Sequence, residues 1–153
     1  MKAVFTPHPQ SETRKRSAVT LIKHLLAKKS EVLPTHRRQL LTILLWKITE
    51  AESTKHKTRF QSWGALGCSD KAKLRHDHVF QRKKMIEKLE KASPRQIDKI
   101  LKKAIGCTVT TEEHVKLSKF DTEYDGWERY RKAGVIVIDT QTRKRLNLSR
   151  LIR

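Results

Sequence analysis

Several residue types are scarce in this sequence, and each shortage narrows what the chain can be. No stretch approaches the roughly 20 consecutive apolar residues of a membrane span. The N-terminus MKAVFTPHPQ has no apolar signal-peptide core, so we expect a cytoplasmic protein in which Cys68 and Cys107, its two cysteines, are reduced thiols. The sequence also contains no glycine-rich phosphate loop and no serine-centred triad pattern.

Acidic residues are scarce as well. The chain carries 16 Asp and Glu against 35 Lys and Arg, for a formal net charge of +19 and a pI of about 10.3. Such a surface attracts polyanions, so nucleic acid is the expected partner, with DNA favoured over RNA. An anionic membrane surface is the rival partner, but no helix pattern has the bulky apolar face of an interfacial anchor, and we expect no membrane binding. The sequence makes no prediction of oligomeric state.

Length and composition limit the chain to one modest hydrophobic core. With 37% hydrophobic and 33% charged residues, we expect a single domain over 1–153. Its predicted parts are an N-terminal helical pair at 11–51, a central unit at 70–120, and a C-terminal helix, strand and basic tail at 121–153. The expected fold class is α+β, mostly helical.

The N-terminal helical pair is predicted from apolar residues spaced three and four apart. The first helix covers 11–29, and the second follows Pro34, with Thr35 as its predicted cap. Residues 52–73 lose this periodicity and contain two glycines, so they are predicted to be mostly loop. We expect Trp63 to anchor that loop to the core.

The stretch KLRHDHVF alternates and ends in β-formers, which predicts a short strand. Two helices then meet near Ser93, because Ser93, Pro94 and Gln96 match an N-cap, an N1 proline and a capping-box partner. The second of these helices is predicted to stop at Gly106. A second extended piece is predicted at 107–109.

The remaining elements have shorter signals. Thr110 or Thr111 is predicted to cap a helix that carries His114. A short helix stopped by Gly134 follows, and the segment VIVID at 135–139 has the composition of a strand.

His76, Asp77 and His78 stand side by side on the first predicted strand, just ahead of a basic segment. Cleavage of a phosphodiester needs charge neutralisation at the phosphate, a base for the attacking water and help for the leaving oxygen. A divalent metal ion beside a histidine supplies the first two. His114 is the nearest candidate for a further metal ligand.

The order of these pieces, with HDHV, a second short strand and a helix opening with TEEHVKL, resembles the HNH nucleases over residues 74–118. The resemblance implies a ββα-metal unit in which Asp77 binds metal, His78 is the general base and His114 is the second ligand. It also implies one divalent metal ion, with Mg²⁺ or Mn²⁺ favoured and Zn²⁺ possible. The sequence departs from the family pattern because residues 79–113 contain no asparagine to orient the base.

Strand geometry does not decide whether Asp77 or His76 is the metal ligand. In a regular strand His76 and His78 share one face while Asp77 points to the other, which makes His76 the alternative metal ligand. A bulge or a strand end at this point would restore the Asp77 geometry.

Two other interpretations of the same residues remain. A structural zinc site would use thiolates and imidazoles, although their spacing is wide for such a site. The candidate zinc ligands are Cys68, His76 or His78, Cys107 and His114. Alternatively, the polar side chains lie in solvent at a strand end and bind nothing.

The basic residues around the motif are predicted to hold phosphates on either side of a scissile bond. They are Arg75, Arg82, Lys83 and Lys84. The predicted function is therefore metal-dependent endonuclease activity on nucleic acid, with DNA favoured. The alternative is a non-catalytic basic nucleic-acid-binding protein with a degenerate HNH-like fold. A third alternative is a small interaction protein whose basic surface docks on an acidic protein partner, with the acidic patch at 121–128 serving self-association.

Overall fold

The computed structural model describes residues 5–53 and 56–152. Its helices are α1 (Ser11–Ala27), α2 (Pro34–Thr49), α3 (Trp63–Gly67), α4 (Arg82–Lys91), α5 (Pro94–Leu101), α6 (Thr111–Ser118), α7 (Gly126–Lys132) and α8 (Leu148–Leu151). Its strands are β1 (Phe60–Ser62), β2 (Leu74–His78), β3 (Gly106–Thr110), β4 (Val137–Asp139) and β5 (Lys144–Arg145), with short 3₁₀ turns at Lys29–Glu31 and Lys71–Lys73. Within these described ranges, no helix has both the length and the apolarity needed to cross a bilayer.

The five strands form one mixed sheet in the order β2-β3-β1-β4-β5. Strand β1 is parallel to β3, and the other neighbouring pairs are antiparallel. The predictions of a mostly helical α+β fold, an N-terminal helical pair and a C-terminal strand are confirmed.

Two hydrophobic clusters stabilise this arrangement. The first lies between α1, α2, α4 and α5, with Ile22, Leu41, Leu45 and Leu89 almost fully buried. The second lies among the sheet, α6 and α7, and contains Val79, Cys107, Val109, Leu117, Trp127, Tyr130, Val135 and Val137. Phe80 packs against both clusters, so the two parts of the core are continuous through its ring.

The signals at Ser93, Thr110 and Gly134 are confirmed. Ser93 and Gln96 form the capping box that begins α5. Thr110 caps α6, with Glu113 completing the box. Gly134 follows α7 in the left-handed conformation, with a φ of 69°.

Four local predictions are wrong. Helix α5 ends at Leu101 and Gly106 is the first residue of β3, so Gly106 does not stop that helix. Helix α2 begins at Pro34 with Leu33 at the N-cap position, so Thr35 is not its cap. Strand β1 lies inside the region predicted as mostly loop, because three residues are too few for periodicity and its pairing comes from β3 and β4. Trp63 does not anchor a loop to the core, since it begins α3 with 67% of its surface exposed.

Gly126 is the position where the backbone most needs glycine. Its φ is 62°, and a Cβ built on it would lie 2.3 Å from Phe80 Cε1. A side chain here would therefore displace the ring that joins the two clusters.

We predict that Gly126→Ala lowers the free energy of unfolding by about 3 kcal/mol, because a left-handed backbone penalty adds to overpacking. Gly134→Ala is the matched control, since Gly134 is also left-handed but a Cβ there meets no atom within 4 Å. We expect the control to lose only about 1 kcal/mol. Urea denaturation measures both, and equal losses would show that Phe80 accommodates the methyl group.

Candidate functional site on strand β2

Strand β2 is regular, and this decides which side chains meet. It pairs residue by residue with β3, from Leu74 opposite Thr110 to His78 opposite Gly106, without a bulge. Side chains on such a strand alternate between faces. His76 and His78 therefore share one face of the sheet, and Asp77 lies on the other.

Helix α2 covers the histidine face. His76 Nε2 lies 3.0 Å and His78 Nε2 lies 3.2 Å from the same atom, Thr49 Oγ1. The Trp46 ring packs against both imidazoles, with centroids 4.7 Å from His76 and 4.6 Å from His78. The Arg82 guanidinium lies 4.9 Å from the Trp46 ring centroid, which closes the cluster from the side of α4.

Both histidines in this cluster are neutral at physiological pH. Burial, with repulsion from nearby cationic groups, lowers the pKa of His76 to about 4 and that of His78 to about 2. Gly106 leaves room for the His76 ring, because a Cβ at this position would lie 2.6 Å from His76 Cε1. The arrangement is a packed polar cluster built around one hydroxyl group.

Asp77 lies on the opposite face in a buried ionic network. Its Oδ2 accepts hydrogen bonds from Arg129 Nη2 and, at 2.6 Å, from the Tyr130 hydroxyl. Its Oδ1 lies 3.6 Å from His114 Nε2 on α6. Burial raises the pKa of Asp77, and the charge of Arg129 opposes that rise. Asp77 is 5% exposed and Arg129 is 3% exposed, so this ion pair is deep in the protein.

The same network holds the acidic segment at 121–128 in place. Arg129 Nη1 donates to Asp121 Oδ1 at 2.7 Å, and Asp125 Oδ1 accepts from the backbone N–H of Gln81 at 2.8 Å. Lys84 Nζ donates to the carbonyl oxygens of Asp121 and Tyr124. Two carboxylates of the predicted self-association patch therefore have partners within the chain.

The predicted ligand set does not converge on one point. Asp77 and His114 meet on one face, while His76 and His78 meet on the other. Within residues 5–53 and 56–152, no three His, Cys, Asp or Glu side chains are grouped so that they could hold a metal ion. With one Asp77 oxygen engaged by Arg129 and Tyr130, these residues as arranged do not fit the divalent ion that the HNH resemblance implies.

In the described part of the chain, the candidate zinc ligands are not brought together either. Cys107 is fully buried in the second hydrophobic cluster, and burial raises the pKa of its thiol. Cys68 lies outside that core and is partly exposed.

The four predicted phosphate-binding residues have different environments. Arg75 is exposed but donates to the carbonyl oxygens of Ala72 and Leu74. Arg82 stacks on Trp46, and Lys84 binds backbone carbonyls, so both have structural contacts. Lys83 is exposed, unlike its neighbours Arg82 and Lys84 on α4.

Sequence reasoning missed the partners of the motif. Arg129 and Tyr130 come about fifty residues after Asp77, and Trp46 and Thr49 lie on α2, which the sequence predicts only as the second helix of the N-terminal pair. A carboxylate on a short strand that packs into a core does signal that a buried partner is needed. No local pattern, however, indicates which cation provides it.

Comparison with protein-family models, with curated proteins and with solved structures gave no match.

We predict that acid destabilises the protein through His76 and His78 before its carboxylates titrate. Their folded-state pKa values lie below the usual 6.5, so the unfolded chain binds more protons as the pH falls from about 6.5 towards 4. The free energy of unfolding should fall by about 1.4 kcal/mol per pH unit for each histidine.

Urea denaturation between pH 7 and pH 5 measures this slope. The double variant His76→Gln/His78→Gln should flatten it, whereas His24→Gln, at an exposed histidine on α1, should leave it unchanged. An unchanged slope in the double variant would mean that the two imidazoles titrate normally in the folded protein.

Proposed function

We propose that this protein binds nucleic acid, with DNA favoured, through the basic surface of α4 and α5. The observation that carries the proposal is the convergence of Lys88, Lys99 and Lys103 on one pocket between these helices. All three lysines are exposed. An electrostatic footprint of this kind is what phosphate contacts require.

The pocket has an apolar floor and a cationic rim. Its volume is about 110 Å³, and Phe80, Met85 and Ile100 line its base. Lys103 Nζ lies 5.2 Å from the Phe80 ring centroid. The acid at its edge is Asp125, whose carboxylate already accepts a hydrogen bond from the Gln81 backbone.

Three ammonium groups around so small a pocket repel one another. A bound phosphate removes that repulsion. Three further exposed cations of the two helices extend the basic surface, namely Lys83, Lys91 and Arg95. Two acids of the same helices are ion-paired with other elements, Glu90 with Arg37 of α2 and Asp98 with Lys23 of α1.

We predict that the triple variant Lys88→Gln/Lys99→Gln/Lys103→Gln weakens DNA binding and reduces the salt dependence of its affinity. The slope of log K against log salt should fall by about 1 for each lysine that contacts a phosphate. Fluorescence anisotropy with a short duplex at several salt concentrations measures it.

The matched control removes the same charge from other elements, as Arg16→Gln/Lys116→Gln/Lys119→Gln, at three exposed cations of α1 and the α6 region. It should keep most of the wild-type slope. Equal losses in the two triple variants would show that only net charge matters and would reject the α4–α5 surface.

One observation supports a second candidate function, cleavage of nucleic acid without a metal ion. His114 Nε2 lies 3.6 Å from the buried Asp77 Oδ1, while 42% of the His114 side chain is exposed. A buried carboxylate behind an accessible imidazole stabilises the imidazolium that forms when histidine acts as a general base. In this scheme His114 accepts a proton from the attacking oxygen, and the role that the resemblance gave to His78 passes to it.

For this second function, wild-type protein should nick plasmid or cleave RNA in the presence of EDTA. We predict a loss of about 100-fold or more in His114→Ala, because a general base contributes that much, and little loss of the chemical step in a folded His78→Gln. Absence of cleavage by the wild type, with and without Mg²⁺ or Mn²⁺, would leave binding as the function.

A further inference from the structure

We propose that a cleft on the far side of the sheet from α6 and α7 binds a single phosphorylated nucleoside. The cleft has a volume of about 720 Å³, within the range of small-ligand sites. This inference goes beyond nucleic-acid binding by α4 and α5, because it concerns a different surface and a different ligand size.

The floor of the cleft is apolar and belongs to the sheet. Leu74 of β2 and Ile138 of β4 line it, with Leu66 of α3 forming a wall. Gln61 of β1 adds an amide beside Ile138, its partner in the β1–β4 register. Its Nε2 donates to the Thr58 carbonyl oxygen at 3.0 Å, so Oε1 is the amide atom that can accept from a nucleobase. An apolar floor with a polar side chain suits the flat face and the hydrogen-bonding edge of a nucleobase.

The rim of the cleft is cationic. Lys57, Lys71 and Arg143 line it and are exposed, and they come from three separate segments of the chain. Among the described residues that line the cleft, the acid is Glu52, and its carboxylate is ion-paired with Lys15. The rim therefore has uncompensated positive charge, which suits a phosphate group.

The shape and the charge together identify the ligand class. Neither a free phosphate nor an apolar molecule uses both the floor and the rim, whereas a nucleoside monophosphate uses both. That unit can arrive as a free nucleotide or as the terminal nucleotide of a strand. The chemistry is the same in both cases, and the experiment separates them.

Cys68 provides a reporter that needs no mutation. It lines the cleft and is partly exposed, while Cys107 is fully buried. N-ethylmaleimide should therefore modify Cys68 of the native protein. A ligand in the cleft slows this reaction, and at ten times its dissociation constant the slowing should be about tenfold.

The test measures the modification rate with each of the four ribonucleoside 5′-monophosphates, and with the nucleosides and inorganic phosphate as controls. We expect at least one monophosphate to protect Cys68, and the nucleosides and phosphate to protect much less. Protection by a short 5′-phosphorylated oligonucleotide, but not by the same length with unphosphorylated ends, would identify the strand end as a source. Protection by monophosphates alone would identify the free nucleotide.

Variants of the rim residues test whether these cations contribute to ligand binding. Lys71→Gln and Arg143→Gln should each weaken protection by about fivefold, as loss of an exposed ionic contact does. Lys116→Gln on α6, an exposed lysine outside the cleft, should not weaken it. The triple variant at Lys88, Lys99 and Lys103 should also retain protection, so failure at α4–α5 and failure at the cleft are distinguishable. The proposal is overturned if no monophosphate protects Cys68, or if Lys116→Gln weakens protection as much as the rim variants do.

Discussion

The buried ion pair between Asp77 and Arg129 is the interaction on which the centre of this molecule depends. It joins β2 to α7 across the second hydrophobic cluster, and Arg129 also donates to the His78 carbonyl and to Asp121. Tyr130 adds a second donor to the same carboxylate. Removing either charge would leave the other buried without its closest ionic partner, which is more costly than removing both.

This pairing also decides what strand β2 can do. With Asp77 turned towards α7, the histidines on either side of it turn towards α2 and share the Thr49 hydroxyl. The motif that resembles a metal-binding nuclease is therefore divided between two faces of the sheet. Asp77 with His114 is the combination that reaches solvent, whereas the groups of exposed cations that line a pocket lie on and beside α4 and α5 and around the cleft. Two cation-lined surfaces therefore support anion binding, whereas a single pair, Asp77 and His114, supports catalysis.

Local signals in the sequence were sufficient for much of the fold. Capping boxes at Ser93 and Thr110, the stop at Gly134 and the periodicity of α1 and α2 are encoded within a few residues. The alternation rule also predicted that His76 and His78 share a face. Contacts between residues far apart in the chain could not be predicted. Strand β1 gains its stability from two neighbours far away in the chain, and the partner of Asp77 was one among 35 cations. Trp63 was expected in the core because large aromatic residues usually pack there, but its place at the start of α3 turns it to solvent.

The most direct test is a double-mutant cycle of unfolding free energies for Asp77→Asn, Arg129→Met and the double variant. If the ion pair is structural, each single variant should lose about 3 to 5 kcal/mol, and the double variant should lose clearly less than the sum. Additive effects, with Asp77→Asn as stable as the wild type or more stable, would contradict this account. Asp77 would then be a carboxylate whose role is to bind a ligand, as the HNH resemblance implies.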